Sequence, residues 1–105
     1  MALEGFASGA TGWVSGVADC VPADCVALYE ACLAADFETA RPIAQRLLPL
    51  SRLDMTPHLV QYFKAAQDEV GLAGGPCREP RLPLTTGERE ELAAALAVLR
   101  EGVPA

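Results

Sequence analysis

One short apolar run near the start of the chain limits what this sequence can fold into. Residues 12–18 read Gly-Trp-Val-Ser-Gly-Val-Ala, and glycines set the run off from its surroundings. A run of this kind predicts a buried strand of a parallel sheet, which is apolar on both faces. No other part of the 105 residues predicts a strand that could pair with it. The sequence therefore predicts one strand whose backbone partners must come from elsewhere.

The remainder of the chain predicts helices, about four of them, so the expected fold class is mainly α with one short strand. Residues 3–9 look like the last turn of a helix followed by a glycine stop. Residues 22–35 predict a first full helix, with a proline at its first position. An aspartate caps a second helix, residues 36–48, in which Pro42 and Pro49 each remove a backbone donor and predict a kink or a ragged end.

The second half of the chain predicts two more helices separated by a long loop. Thr56 is expected to cap the first of them, with Pro57 at its first helical position and Gly71 at its end. Residues 72–84 hold two glycines and three prolines and predict an extended loop. The last helix is expected over residues 85–102, from a Thr-x-x-Glu capping box to a glycine stop.

Charge and hydropathy exclude several classes of partner. The net charge is −6, and the chain has no cluster of Lys and Arg, so nucleic acid and anionic membranes are not expected to bind it. No run of about 18 apolar residues exists and the first ten residues lack a secretory signal, so we expect a cytoplasmic chain. A mean hydropathy of +0.23 suggests apolar surface that meets a missing part or a partner.

The four cysteines are expected to be free thiols. They show neither a Cys-x-x-Cys pair nor histidines at zinc spacing, and the expected compartment is reducing. Cys25 and Cys32 are seven residues apart, so they should share one face of a helix and pack as small hydrophobic residues. A zinc or redox protein that uses these cysteines is the alternative. Neither a metal nor a cofactor is predicted.

Taken alone, the residues able to do chemistry have structural explanations. Lys64, the single lysine, lies in the middle of a predicted helix without the apolar surroundings that would depress its pKa. His58, the single histidine, lies in a first helical turn with no nucleophile signature beside it. Glu88 and its neighbours complement the dipole of the last helix. The glycines of residues 5–16 match no phosphate-binding motif. No catalytic residue is therefore predicted in this chain.

The order of these segments nevertheless resembles a known family. Residues 12–19 resemble the eighth barrel strand of the dihydrodipicolinate synthase/N-acetylneuraminate lyase family, where a G-x-I/V-S stretch is followed by a small residue and a polar one. Residues 36–41 with 45–50 are similar to the helix that follows barrel closure. Residues 57–72 resemble the next helix, and residues 81–84 resemble the R-x-P-L run before the terminal helix.

The resemblance implies a C-terminal fragment of a (β/α)8 TIM barrel with its extra C-terminal helices. Residues 1–35 would be the end of the barrel, namely the last turn of helix 7, strand 8 and helix 8. Residues 36–105 would be the C-terminal helical extension. A complete barrel needs about 250 residues. The family's imine-forming lysine lies on the sixth strand and its proton-shuttling tyrosine lies earlier, so the fragment is expected to be inactive alone, whether it arose by gene truncation, a misplaced start codon or trimming.

For the site, the resemblance implies Val14, Ser15 and Gly16 at the C-terminal rim of the barrel. There the backbone carbonyl of Val14 would face the imine formed with pyruvate, a related 2-keto acid or a cyclic imine. A role as core strand alone is the alternative for each of the three. The keto acid is expected as a partner only in a full barrel, and the parent enzyme is expected to be a homo-oligomer.

Two subfamilies and one other class of function remain open. Residues 52–54, 59–64 and 80–84 look closest to the 1-pyrroline-4-hydroxy-2-carboxylate deaminases, with dihydrodipicolinate synthase proper as the second choice. The other class is a non-catalytic helical interaction module, or the subunit of a split enzyme. Recovery of a separate N-terminal half-barrel together with the chain would favour the split enzyme.

Overall fold

The computed structural model describes residues 1–102 of the chain and is built from five α-helices and one 3-10 turn. The elements follow the chain in this order: α1 Ala2–Ala7, the 3-10 turn Val17–Asp19, α2 Pro22–Leu33, α3 Phe37–Leu53, α4 Leu59–Glu69 and α5 Thr86–Glu101. The mainly α class is confirmed, and α1 is the helical turn expected at the start. The last three residues of the predicted extension 36–105 lie outside the described residues, and the division after residue 35 stays a prediction.

The predicted strand is not formed. Within residues 1–102 the structure contains no β-strand, and the segment that joins α1 to the 3-10 turn is irregular. This linking segment comprises residues 10–15. Its apolar pattern favours a strand, but a strand exists only where a neighbouring backbone completes its hydrogen bonds. Within residues 1–102 no extended backbone lies beside the segment. The apolar sequence pattern is therefore present, but the hydrogen bonds of a sheet are not formed.

The core is formed mainly by α2, α3 and α5, which pack their apolar faces together. Leu50 of α3 is fully buried, and Leu92 and Leu96 of α5 are almost completely so. Cys25 and Cys32 of α2 are buried in the same core, which confirms their packing as small hydrophobic residues on one helical face. One apolar cluster therefore includes residues from every element of the chain.

Helix α3 continues further than its prolines suggest. Asp36 caps it as predicted, since its carboxylate accepts a hydrogen bond from the Thr39 N–H. The helix passes through Pro42 and Pro49 and ends at Leu53, so the end expected near residue 48 is wrong. Each proline removes one backbone hydrogen bond, but the last turn buries Leu50 and Leu53 in the core. Burial of these two side chains offsets the lost bond.

The start of α4 also differs from the prediction. The helix begins at Leu59 with His58 in the N-cap position, so Thr56 and Pro57 lie before it. The Thr56 hydroxyl donates instead to the Leu53 carbonyl, 2.8 Å away, because residues 54–57 form turns that prolong the end of α3. The predicted stop at Gly71 is confirmed, since this glycine has φ of 87° just after the helix.

Residues 72–84, which we call the return loop, run back along α4 and are fixed to one of its faces. The Asp68 carboxylate accepts from the Gly74 N–H at 2.9 Å. One turn earlier, Lys64 Nζ donates to the Pro76 carbonyl at 3.0 Å. One turn earlier again, Gln61 Nε2 donates to the Leu82 carbonyl at 3.2 Å. The three donors and acceptors on α4 therefore hold the loop antiparallel to the helix.

Helix α5 then runs parallel to α4. Its start has the predicted capping box, in which Thr85 and Glu88 each bond the backbone N–H of the other. Tyr62 donates to Glu91 near the start of the two helices, and Arg100 Nη2 donates to the Glu69 carbonyl near their ends. In the described part of the chain, no helix is long and apolar enough to cross a membrane.

Candidate functional site

Three residues are predicted at the site. Val14 and Ser15 are the last two residues of the linking segment, and Gly16 follows them. The Val14 side chain is fully exposed, with a relative accessibility of 103 %. Ser15 is half-buried, and its Oγ accepts from the Ala18 N–H at 3.3 Å, which supports the 3-10 turn. Side chains from two other elements approach Gly16. Along the chain, Val14 is therefore exposed, the Ser15 hydroxyl supports the 3-10 turn, and Gly16 is closely packed.

Aromatic side chains hold the linking segment against the helices. The ring of Trp13 meets Phe6 of α1 edge to face, with ring centroids 6.5 Å apart. Phe6 in turn meets Tyr29 of α2 edge to face at 5.5 Å. The Tyr29 hydroxyl lies 3.4 Å from the Thr11 carbonyl, to which it donates. These contacts fix the position of the segment although it has no regular structure.

The backbone of residues 12–15 takes part in no hydrogen bond with any described residue. The residues on either side differ, since the Ala10 N–H donates to the Gly5 carbonyl and the Gly16 carbonyl accepts from Asp19. Residues 12–15 are therefore four consecutive residues whose backbone N–H and C=O groups have no partner among the described residues.

Two apolar depressions border the linking segment. The larger, of about 670 Å³, lies between α1, the segment and α3, and its lining includes Met1, Leu48 and Met55. The smaller, of about 380 Å³, lies on the α2 side, and its lining includes Cys25 and Tyr29. Residues Gly12, Trp13 and Ser15 line both depressions.

Gly16, the residue after the linking segment, packs closely against Phe63 of α4 and against Asp54, the residue after α3. A Cβ atom at this position would lie 2.8 Å from the Phe63 ring and 3.3 Å from the Asp54 carboxylate. Any side chain here would have to displace Phe63, which is buried. Asp54 also lines the larger depression, so this exposed carboxylate lies beside the predicted site. Sequence reasoning used Asp54 only as part of residues 52–54 in the subfamily resemblance and gave it no role in a site, because an aspartate near a helix end gives no distinctive signal.

The thiols near the site are buried and poorly suited to nucleophilic chemistry. Burial raises the pKa of Cys20 to about 11, with a further contribution from Asp19. Its Sγ donates to the Phe63 carbonyl at 3.4 Å and so fixes the 3-10 turn to α4. Burial also raises the pKa of Cys25 and of Cys32. All four cysteines are free, and a thiol with a raised pKa is rarely a thiolate at neutral pH.

A second group of residues, polar ones, joins the starts of α4 and α5. His58 Nδ1 lies 2.5 Å from the Glu88 carboxylate, and the hydrogen bond with His58 lowers the pKa of Glu88 to about 2. The Tyr62 hydroxyl donates to Glu91 at 2.7 Å, and burial, with this bond, raises the Tyr62 pKa to about 12. These contacts connect two helices, which agrees with the structural explanation of His58 and Glu88.

Neither region resembles a metal centre. Among residues 1–102, no group of three or more His, Cys, Asp or Glu side chains is placed to hold a metal ion. The linking segment therefore offers backbone groups and apolar surface, and the second cluster offers helix-to-helix contacts.

Comparison with known proteins identifies the family. The sequence profile of the dihydrodipicolinate synthetase family matches residues 1–99. The chain belongs to this family. It is 33 % identical over 99 residues to a 4-hydroxy-tetrahydrodipicolinate synthase of Bartonella tribocorum. The aligned region covers 91 % of this chain and 33 % of the relative.

Two further relatives with the same name are more similar in sequence. The synthase of Exiguobacterium sibiricum is 42 % identical over 101 residues, covering 93 % of this chain and 32 % of the relative. The synthase of Kineococcus radiotolerans is 43 % identical over 95 residues, covering 89 % of this chain and 31 % of the relative. The chain thus spans about a third of the length of the relatives it matches. Their name is that of the second subfamily expected above, and the deaminase assignment stays a prediction.

Membership in the dihydrodipicolinate synthetase family makes the position of the single lysine informative. Lys64 lies within α4, and its Nζ donates to a carbonyl of the return loop. Val14 and Ser15 lie at the end of the linking segment, and Gly16 follows them and packs against Phe63, the residue before Lys64. Among the described residues, Lys64 forms no hydrogen bond with the three predicted site residues, and it lines neither of the two depressions.

Proposed function

We propose that this chain is the C-terminal part of a lyase or synthase that forms a Schiff base with pyruvate, a related 2-keto acid or a cyclic imine, and that it is inactive alone. The observation that carries the proposal is the family match over residues 1–99, combined with relatives about three times as long. In this proposal the chain supplies the last strand and the C-terminal helices of a TIM barrel. The parent enzyme is a cytoplasmic homo-oligomer.

The role proposed for Val14, Ser15 and Gly16 is to form one part of the rim that receives the substrate. The free backbone carbonyl of Val14 would face the imine, and the hydroxyl of Ser15 would keep the rim's turn in place. Two features support this role. The backbone of residues 12–15 has no partner within residues 1–102, and the packing at Gly16 allows no side chain between the rim and Phe63.

The proposed inactivity rests on Lys64. A lysine that attacks a carbonyl must lose its proton, which requires apolar surroundings or another cation nearby. Lys64 is instead half-buried, and its Nζ donates to the Pro76 carbonyl. Neither Glu88 nor His58 approaches it by a hydrogen bond. In this proposal Lys64 holds the return loop against α4 and forms no imine.

Borohydride trapping tests the proposal directly. The purified chain is incubated with pyruvate and sodium borohydride, which reduces an imine to a stable secondary amine, and the intact mass is measured. We expect no increase in the mass of the chain, whereas the Kineococcus radiotolerans synthase, treated identically, should be labelled. A pyruvate adduct at Lys64, absent from a Lys64→Arg variant, would contradict the proposed inactivity. Failure of the synthase to be labelled would contradict the proposed chemistry.

One observation also favours the second candidate, a non-catalytic module or subunit of a split enzyme. Val14 is fully exposed between two apolar depressions, as expected of surface that contacts another polypeptide. The two candidates differ in whether a complex that contains this chain forms an imine.

A further inference from the structure

We propose that the return loop and the 3-10 turn open and close together, because the second half of α4 bonds both of them. Opening of the loop then loosens the turn that follows the predicted site residues, and closing of the loop tightens it. The inference goes beyond the proposed function, since it concerns the conformation of this chain and requires neither a substrate nor imine formation.

Three contacts fix the 3-10 turn and the residues beside it to α4. The Cys20 Sγ donates to the Phe63 carbonyl at 3.4 Å. One helical turn later, Gln67 Nε2 donates to the Asp19 carbonyl at 3.0 Å. The Phe63 ring also packs so closely that a Cβ at Gly16 would lie 2.8 Å from it. The position of the turn, and of the end of the linking segment before it, therefore depends on α4.

The same part of α4 holds the start of the return loop. The Asp68 carboxylate accepts from the Gly74 N–H at 2.9 Å. The Leu72 N–H donates to the backbone carbonyl of Gln67 at 2.8 Å. A Cβ at Gly74 would lie 1.9 Å from the Lys64 carbonyl oxygen, so the backbones of loop and helix are in contact there. Gln67 thus bonds the turn through its side chain and the loop through its backbone.

The return loop is suited to open while the core stays folded. Of residues 72–84, all of which are described, only Leu84 is buried. Within the loop, one backbone hydrogen bond joins the Arg81 N–H to the Arg78 carbonyl. Segments with few buried apolar side chains and exposed hydrogen bonds open locally at a lower free energy than the whole fold. Opening of the loop removes bonds from the last turn of α4, and that turn carries the Gln67 side chain that holds the 3-10 turn.

Hydrogen exchange followed by NMR on the whole 105-residue chain tests the coupling. Asp68→Ala removes the acceptor for the Gly74 N–H, and within residues 1–102 Asp68 forms no hydrogen bond with the 3-10 turn. The Arg81 amide of the loop should exchange about fivefold faster, the effect of one lost hydrogen bond. The Val21 amide, which donates to a carbonyl of the 3-10 turn, should accelerate by the same factor.

The neighbouring residue provides the matched control. Glu69→Ala removes the same charge from an exposed residue of α4, whose carboxylate is hydrogen-bonded to no other residue of the described chain. Both amides should exchange in this variant as they do in the unchanged chain. Acceleration equal to that of Asp68→Ala would mean that the lost charge, and not the bond to the loop, is responsible, and would overturn the proposal.

The reverse direction uses a change on the side of the turn. Gln67→Ala removes the bond to the Asp19 carbonyl but keeps the backbone carbonyl that accepts from Leu72. Because a coupling free energy is reciprocal, the Arg81 amide of the loop should again exchange about fivefold faster. Gln45→Ala makes the same substitution at an exposed position of α3 and should leave the Arg81 amide unchanged.

The Ala40 amide, which donates to the Asp36 carbonyl at the start of α3, separates local opening from global unfolding. Acceleration at Arg81 and Val21 in both variants, with Ala40 unchanged, supports the proposal. Acceleration of one of the two amides without the other would mean that the loop and the turn open independently. Equal acceleration at Ala40 would mean that only the whole fold opens. Either result, or no acceleration at any of the three amides, would overturn the proposal.

Discussion

The molecule contains two long irregular segments that differ in how their backbones are satisfied. The return loop, residues 72–84, is held along α4 by Asp68, Lys64 and Gln61, each of which bonds a backbone group of the loop. The linking segment, residues 10–15, is held by aromatic contacts through Trp13, and four of its residues have no backbone bond in the described structure. The return loop joins α4 to α5, and the linking segment joins α1 to the 3-10 turn. Both segments are largely exposed.

The two segments differ in whether side chains of a helix bond their backbone groups. In the return loop, side chains of α4 bond backbone groups at Gly74, Pro76 and Leu82, so the loop is held along the helix at intervals. A run of apolar and glycine residues with free backbone groups has the composition of a strand without its neighbours. The return loop is therefore bonded to the helix it follows, whereas the linking segment is held to the helices through side chains.

The largest expected effect compares a residue of the packed unit with one of the linking segment. Leu50→Ala removes a side chain with 0 % exposure and should lower the free energy of unfolding by about 3 kcal/mol. Val14→Ala removes a fully exposed side chain and should change it by no more than about 0.5 kcal/mol. Urea unfolding monitored by circular dichroism measures both. A comparable loss for the two variants would mean that Val14 is buried in solution, and the contrast would fail.

A smaller effect compares two glycines, one in each irregular segment. A Cβ at Gly74 would lie 1.9 Å from the Lys64 carbonyl oxygen, so Gly74→Ala should push the return loop from α4 and cost about 2 kcal/mol. A Cβ at Gly12 would meet nothing within 4 Å, so Gly12→Ala is the matched control and should be close to neutral. The same unfolding measurement applies. If Gly74→Ala is also neutral, the loop is less firmly held than its three bonds suggest.

Sequence reasoning succeeded where local signals decide the structure. The Asp36 cap, the Thr85–Glu88 capping box and the stop at Gly71 all depend on residues within one helical turn, and all three are confirmed. The resemblance to the family is confirmed as well. Local hydrogen bonds of this kind change little with tertiary context.

Prediction failed where packing between distant segments decides. Pro49 favours a helix end, but burial of Leu50 and Leu53 in the common core carries α3 past it. Thr56 has the residue type of a cap, but the end of α3 takes its hydroxyl. The strand predicted over residues 12–18 needs neighbours that no pattern within the chain supplies. The place of Val14, Ser15 and Gly16 in a complete site remains a prediction for the same reason.

The smallest expected effect concerns the end of the return loop, where Glu88 fixes Thr85 and contacts His58. The hydrogen bond with His58 lowers the pKa of Glu88 from 4.5 to about 2, so the folded chain binds fewer protons than the unfolded chain between these values. The stabilisation from ionised Glu88 is therefore complete above pH 4.5 and is lost as the pH falls towards 2. Unfolding in urea at pH 6, 4 and 3 should show Glu88→Gln less stable than the unchanged chain at pH 6, with a difference that shrinks on acidification. Glu90→Gln, at an exposed residue of the same helix, is the control and should show no such trend. A difference for Glu88→Gln that stays constant with pH would show that its carboxylate is not held ionised by this contact.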